Sequence, residues 1–507
     1  MSEALGKAFN PWLILAIVCM GQFMVVLDAT IVNVALPSIQ TDLGISDSSL
    51  QWIVNAYTLV FGGFLLLGGR AADLIGRRTL FLAGIVVFSL ASLMNAAAQS
   101  EEMLIAGRAL QGLGGAMLSP AALAVITTTF SEGSERTKAL AVWAAIASGG
   151  SAVGLLLGGV LVEALSWEWI FAVNVPIGIA IAIAAWRVVP NTRIESATRH
   201  FDIPGAVSVT AGLSLLVYTI VKAQEWGWGS VETLGLGAVA LALLGLFVAI
   251  ESRSPAPLVR LGLFRLRSLA LGNGVFLLLM AGMFSMFYFA SIYVQNVLGY
   301  SALTAGLAFL PVTAGIMIGA TAAQQLVPRI GVRAVTLIGL PVGAIGLALL
   351  ALGTQVDGTY LGLLAGLLPV SIGLGLAFVP LTLIATTGVA ENEAGLASGV
   401  FNTSQQVGGA LGLAVLATLA NDRTVSFLSG LGGEPTPAQQ SAALVDGFQL
   451  AFYVAAGLFV VGTIVVATLL RRSDVELIDE TAGSSPELEG EVGGQSTEDR
   501  DAVPVPA

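Results

Sequence analysis

Bilayer-length apolar runs recur along the whole of this chain, and no other feature narrows its fold as much. Read against turn and charge signals, they cover 12–36, 52–69, 79–98, 103–126, 139–162, 169–189, 204–221, 231–250, 268–290, 304–327, 334–353, 360–387, 396–420 and 448–470. A helix crosses a hydrocarbon core with about 20 apolar residues. Backbone polar groups in lipid must be satisfied within the protein, so fourteen such runs predict an all-α polytopic membrane protein. The composition, 56% hydrophobic and 10% charged, lies outside the range of a soluble globular domain. The opening MSEALGKAFNPW leads into a long run broken by an acid, unlike a cleavable signal, so the first helix is expected to be retained.

An even number of spans puts both termini on one side. Lys7, Arg70, Arg77, Arg78, Arg136, Lys138, Arg187, Arg193, Arg199, Arg253, Arg260, Arg265, Arg267, Arg329, Arg333, Arg471, Arg472 and Arg500 fall with them, 18 of the 21 Lys+Arg. Lys222 and Arg423 fall in opposite loops, and Arg108 inside the fourth span. By the positive-inside rule both termini are therefore expected in the cytoplasm. Most of the net charge of −11 resides in the tail, where ten acids face one arginine from Ser473 onward and carry −9. A segment this polar predicts a solvated, disordered cytoplasmic tail over 471–507 and lends nucleic-acid binding no support.

Residue counts exclude several chemistries. Cysteine occurs only at Cys19 and histidine only at His200, which leaves no disulfide framework, Cys/His metal cluster or histidine triad. Lys7, Lys138 and Lys222 lie in no GxxxxGK[ST] loop, so ATP hydrolysis by a P-loop is excluded. No catalytic residue, metal or cofactor is expected, and a membrane enzyme is the weakest functional reading.

Two charges stand inside the apolar runs: Asp28, in VVLDATIVNVALP, and Arg108 in span four. An ionisable residue at membrane depth marks a functional site whose partner is to be found. At 1.5 Å per residue, Asp28 lies ~6 Å beyond the midpoint of its span and Arg108 ~10 Å from the midpoint of its own, on the same side. A carboxyl group can bind and release a proton whereas a guanidinium stays charged, so Asp28 is the proton-coupling candidate and Arg108 its partner. Spans nine to fourteen contain no acid, hence no second coupling carboxylate. Gln22, Asn33 and Gln111 are polar candidates for a substrate cavity, with Tyr57 and Trp143 added on position. In span nine, LLLMAGMFSMFYFASIYVQN concentrates methionine and aromatic side chains that adapt to varied apolar ligands, and Met283, Phe287 and Tyr288 are its wall candidates. Packing against lipid and neighbouring helices also explains such a stripe.

A weak internal echo divides the spans. ADLIGRR (Ala72–Arg78) follows span two and VPRIGVR (Val327–Arg333) follows span ten, while Gly150 and Gly154 in span five match Gly408 and Gly412 in span thirteen. Two six-span repeats, with spans seven and eight left over between them, point to a repeat transporter. GGRAADLIGRR resembles the loop signature GxLaDrxGrk of the major facilitator superfamily, with Gly69, Asp73, Gly76, Arg77 and Arg78 in register and Ala71 and Leu74 departing. LDATIVNVALP, QWIVNAYTL, AGRALQGLGGAM, SWEWIFAVNVPIG, FDIPGAV and ASGVFNTSQQVGGALG together resemble the fourteen-helix drug:proton antiporter family within it.

That resemblance implies the major facilitator fold: a cytoplasmic N-terminus at 1–11, a six-helix bundle at 12–189, a two-helix insert with its linkers at 190–267, a second six-helix bundle at 268–470 and the tail at 471–507. Helices one and four line the cavity of that fold, so Asp28 and Arg108 are expected to meet directly, through water or through a nearby polar group. The loop signature reads as a conformational latch, since topology alone accounts for Arg77 and Arg78 but not for Asp73 or Gly76. Gly150, Gly154, Gly158 and Gly159 resemble the family's antiporter motif GxxxGPxxGG; the first three share one helix face and allow close backbone approach. Leu155 replaces the motif's proline and removes a kink site, which leaves gating and plain close packing both open.

The family implies proton-coupled export of apolar or amphipathic, cationic drugs or toxic compounds by alternating access. It further implies a monomer in the bacterial cytoplasmic membrane, driven by the proton gradient without a cofactor, with small-molecule substrates, protons and lipid as its partners. Two alternatives stay open: a narrow exporter of one endogenous metabolite, antibiotic or lipid, and a proton-coupled importer.

Overall fold

The computed structural model describes residues 10–130, 134–190, 202–254, 257–386, 394–431 and 435–476; the side chains of some helical residues, Arg70 and Asp73 among them, lie outside that description. So do Arg193, Arg199, His200 and the chain beyond Glu476.

Within it the chain is helical almost throughout. The N-terminal part forms α1 (Pro11–Leu43), α2 (Asp47–Leu50), α3 (Trp52–Ile75), α4 (Arg77–Ala96), α5 (Glu101–Thr129), α6 (Ser134–Ala164), α7 (Trp169–Ala172) and α8 (Asn174–Val188). A hairpin of α9 (Ile203–Trp226) and α10 (Val231–Glu251) follows. The C-terminal part forms α11 (Arg267–Ile292), α12 (Ala302–Ala308), α13 (Leu310–Ile330), α14 (Val332–Gly353), α15 (Tyr360–Thr386), α16 (Ala394–Ser429) and α17 (Pro437–Thr468). Helix covers every expected span, with span six divided into α7 and α8 and span ten into α12 and α13. Among the described residues, 11 helical segments are long and apolar enough to cross a membrane. Polar caps close helix starts: Asn10 accepts from the Trp12 N–H at 2.9 Å, Ser100 from Met103 at 3.3 Å, and Thr436 with Gln439 forms a capping box.

Two bundles result. In the first, α3 and α4 pack on α5 and α1 packs on α6; in the second, α13 and α14 pack on α15, and α11 and α17 on α16. The weak sequence echo has a structural counterpart. Gly76, at φ 111, joins α3 to α4, and Gly331, at φ 83, joins α13 to α14, both in a backbone region that glycine alone enters freely. Arg78 then donates to the Val189 carbonyl (3.3 Å) and closes the end of α8, while Arg333 donates to Leu470 and Ala467 (2.8 Å each) and closes the end of α17. Each bundle thus ties an inner turn to the end of its last helix. These turns share one face, here the terminal face, with the start of α1 and the end of α17; the other face is the distal one.

The structure shifts two boundaries. Helices α16 and α17 run past their expected spans and take in Asp422 and Asp446 at the distal face, where Arg423 Nε pairs with Asp446 Oδ2 at 2.6 Å. The expected disordered tail begins with a packed turn instead: Arg472–Asp474 is 3₁₀-helical, Asp474 Oδ2 lies 3.8 Å from Arg267 Nε, and Val475 is buried against the C-terminal core.

Helix α9 lies along the seam between the bundles. Leu59 of α3, Leu213 and Val217 of α9, and Ala410 and Ala414 of α16 form one apolar cluster. Helix α10 packs on α9. At the terminal face Asp202 accepts from the Gly205 N–H (2.8 Å) and Glu251 from the Val259 N–H (3.0 Å), both acids being buried. At the distal face Trp228 hydrogen-bonds Asp422 of α16.

Candidate functional site

Asp28 lies midway along α1 and Arg108 in the second turn of α5, and the two meet directly: Arg108 NH1 donates to Asp28 Oδ2 at 2.5 Å. Both residues are 0% exposed. Removing two charges from water costs several kcal/mol per ion, so such a pair persists only when its remaining hydrogen-bonding groups are satisfied. Gln111, one turn beyond Arg108, supplies much of that. Its Nε2 donates to Asp28 Oδ1 (2.9 Å) and Ser92 Oγ (2.7 Å), and its Oε1 accepts from Arg108 NH1 (2.8 Å) and Asn95 Nδ2 (2.6 Å). Asn174, the first residue of α8, donates to Asp28 Oδ1 at 2.9 Å. Arg108 Nε donates to the Ile53 carbonyl at 2.9 Å. The guanidinium carbon lies 4.4 Å from the centroid of the Tyr57 ring and 5.8 Å from that of Phe171, close enough for cation–π attraction.

One network therefore joins α1, α3, α4, α5 and α8. Asp28 accepts three donors, the pattern an ionised carboxylate takes. The bonds of this network polarise one another, so a change at any one of them alters several at once.

The structure brings some cavity candidates into this network and leaves others elsewhere. Gln111 and Tyr57 are buried within it. Gln22, half-buried, accepts from Ser119 Oγ at 2.7 Å and ties α1 to α5. Asn33 turns its Nδ2 back to the Ala29 and Thr30 carbonyls, 3.3 Å each. Trp143 is half-buried against the N-terminal core. Met283 and Phe287 are half-buried, Phe287 lying 5.8 Å from Phe309, whereas Tyr288 is buried against Phe289. Sequence reasoning missed Ser92, Asn95 and Asn174. Their signal was the one that exposed Asp28, a polar side chain inside an apolar span, with Ser92 and Asn95 spaced to share a helix face.

The glycines of α6 press on the helix that carries Asp28. A methyl on Gly150 would meet Val26 Cγ1 at 3.1 Å, one on Gly154 the Leu27 carbonyl at 3.0 Å, and one on Gly158 the Ile31 carbonyl at 3.0 Å. Gly159 faces α12, 2.7 Å from the Ala302 carbonyl by the same measure, and Leu155 is buried against Gly306 of α12. Of the loop signature, Gly69, Arg77 and Arg78 are half-buried, Gly76 makes the α3–α4 turn, and the Asp73 side chain lies outside the described residues. The bundles meet along α3 and α16, where Thr403 Oγ1 donates to the Gly62 carbonyl at 3.4 Å, and at the distal ends of α1 and α11 and of α6 and α12, where the Leu303 N–H donates to Glu163 Oε2 at 3.2 Å.

Residues 18–413 match the Major Facilitator Superfamily. The chain is 41% identical over 486 residues to a puromycin resistance protein of Streptomyces alboniger, 95% of each chain being covered. It is 42% identical over 439 residues to a cephamycin export protein of Amycolatopsis lactamdurans, covering 86% of this chain and 88% of that one. Among solved structures, a bacterial homologue of the human lysosomal transporter Spinster, inward-facing and unoccupied, is similar with a TM-score of 0.64 at 14% identity, over 92% of this chain and 99% of that one. At that identity the likeness concerns the fold alone.

Proposed function

The chain belongs to the major facilitator superfamily, and from that premise we propose that it exports antibiotics or other apolar and amphipathic compounds, cationic ones included, in exchange for protons. The observation that carries this reading is the buried Asp28–Arg108–Gln111–Asn174 network, a titratable group wired to five helices. Protonating Asp28 removes the charge that Arg108 faces, loosens the hold of Gln111 and Asn174 on the same carboxyl, and lets α1 and α5 shift against α3, α4 and α8. The close contact of Gly150, Gly154 and Gly158 with α1 passes that shift to α6.

In this reading all fourteen spans cross the bacterial cell membrane with both termini in the cytoplasm, supported by the 18 of 21 Lys+Arg that the order of spans along the sequence assigns to the side of the termini. The bundles, joined at their distal ends, then form an outward-closed state. Gly69, Asp73, Gly76, Arg77 and Arg78 serve as the cytoplasmic latch, and Met283 and Phe287 belong to the substrate wall. The transporter works as a monomer and uses no cofactor. A second reading, export of a single antibiotic, is favoured by relatives named for one compound each.

Inside-out vesicles test both readings. A pH gradient should drive uptake of ethidium and of puromycin, and Asp28→Asn should abolish it in protein inserted at normal abundance. Uptake of puromycin without ethidium would favour the narrow exporter; equal uptake without a gradient would refute proton coupling.

A further inference from the structure

Pro37 lies inside α1 and has no N–H, so the Asn33 carbonyl, four residues earlier, lacks its usual donor within its own helix. An orphaned carbonyl in a buried position demands another partner. That partner comes from the other bundle: Ser291 Oγ of α11, itself 0% exposed, donates to the Asn33 carbonyl at 2.7 Å. One turn on, Gln295 Nε2 donates to the Val34 carbonyl at 3.1 Å and lies 3.2 Å from Ser291 Oγ. Gln295 belongs to a π-helical turn, Tyr293–Val297, that ends this helix at the distal face. The Tyr293 hydroxyl donates to the Gln355 carbonyl at 2.8 Å and accepts from its N–H at 3.1 Å, which holds the turn to the segment after α14.

We propose that Ser291 and Gln295 are the positioning residues of the distal gate, and that Pro37 exists in α1 to leave the Asn33 carbonyl free as their acceptor. The proposal rests on the alternating-access reading above. The bond can exist only while the bundles are closed at the distal face. When they part, the Asn33 carbonyl turns to the water of the opened cavity and Ser291 loses its partner. A carbonyl that already accepts within its own helix can take a second donor, as Val34 takes Gln295, but shares its acceptor capacity between the two; without an N–H from Pro37 the Asn33 carbonyl turns that capacity to Ser291, which makes it the stronger docking point. The gate thereby gains a buried directional bond beside close small-residue contacts such as Gly159 on Ala302 and the exposed bond of Leu303 to Glu163.

The test is a distance measurement between spin labels on Thr41→Cys and Asn296→Cys, both exposed positions at the distal ends of α1 and α11, in a chain whose one native thiol, Cys19, is buried. Ser291→Ala strands a buried acceptor and should raise the population of the longer distance about tenfold. Gln295→Ala, at a half-buried site that tolerates truncation, should shift it in the same direction by less. Pro37→Ala restores an N–H to the Asn33 carbonyl, so Ser291→Ala in that background should have a clearly smaller effect. Unchanged distances in both Ser291→Ala and Gln295→Ala, or an equal shift from Ser291→Ala with and without Pro37, would overturn the proposal. Neither substrate nor proton gradient enters the measurement, so a chain that exported nothing yet showed the Pro37-dependent shift would keep the gate and lose the export reading.

Discussion

Neutralising one member of the Asp28–Arg108 pair should be far more harmful than neutralising both. Each is 0% exposed, and each makes its principal electrostatic contact with the other at 2.5 Å. Arg108→Gln strands the Asp28 charge among Gln111 and Asn174, whose amides solvate it incompletely. Asp28→Asn strands the guanidinium, leaving it the Ile53 carbonyl, Gln111 and the Tyr57 ring. Breaking a buried pair from one side costs about 3–5 kcal/mol, because the survivor stays desolvated without its counter-charge. The double variant Asp28→Asn, Arg108→Gln buries no charge at all, and its polar groups can bond to each other and to Gln111. Its cost should therefore fall below the sum of the two single costs by about 2–3 kcal/mol, the upper range of measured couplings. Reversible unfolding of the four proteins in mixed micelles reads this directly. Costs that add to within about 0.5 kcal/mol would refute an energetically coupled pair. Gradient-driven export should be lost in all three variants, so stability and transport part company only in the double variant.

Three further outcomes are expected. Gly154→Leu, forced against Thr30 and the Leu27 carbonyl, should push α6 from α1 at about 1–3 kcal/mol and reduce export, whereas Gly69→Ala meets only Pro120 Cβ at 3.8 Å and should leave thermal stability unchanged. Gly76→Ala and Gly331→Ala, at φ 111 and 83, should each lose about 1–3 kcal/mol in the same unfolding assay; a neutral result would show that the turns relax. Truncation after Glu476 should preserve abundance and efflux, while truncation after Arg472 removes Val475 from the core and Asp474 from Arg267 and should lower the melting temperature.

Much of this protein was legible in one dimension because a bilayer imposes a one-dimensional constraint. Span length and the distribution of lysine and arginine follow from membrane thickness and leaflet asymmetry, and both are counted along the chain. Asp28 and Arg108 were conspicuous for the same reason, since charge at membrane depth needs a cause. What sequence could not supply is which apolar surface meets which. In water an apolar stripe marks the face turned to the core, but in lipid both faces are apolar and the periodicity that would assign neighbours is weak. Asn174 is 146 residues from Asp28, and only the packing of α8 against α1 makes it a ligand of that carboxylate. The same packing moved Gln111 and Tyr57 from the candidate cavity wall into the charge network, laid α9 along the seam of α3 and α16, and delivered Ser291 to the one carbonyl in its reach that Pro37 had left unpaired. The chain's order sets the helices and the sides of the membrane they touch; close approach at glycine and the satisfaction of buried polar groups decide which helices become neighbours.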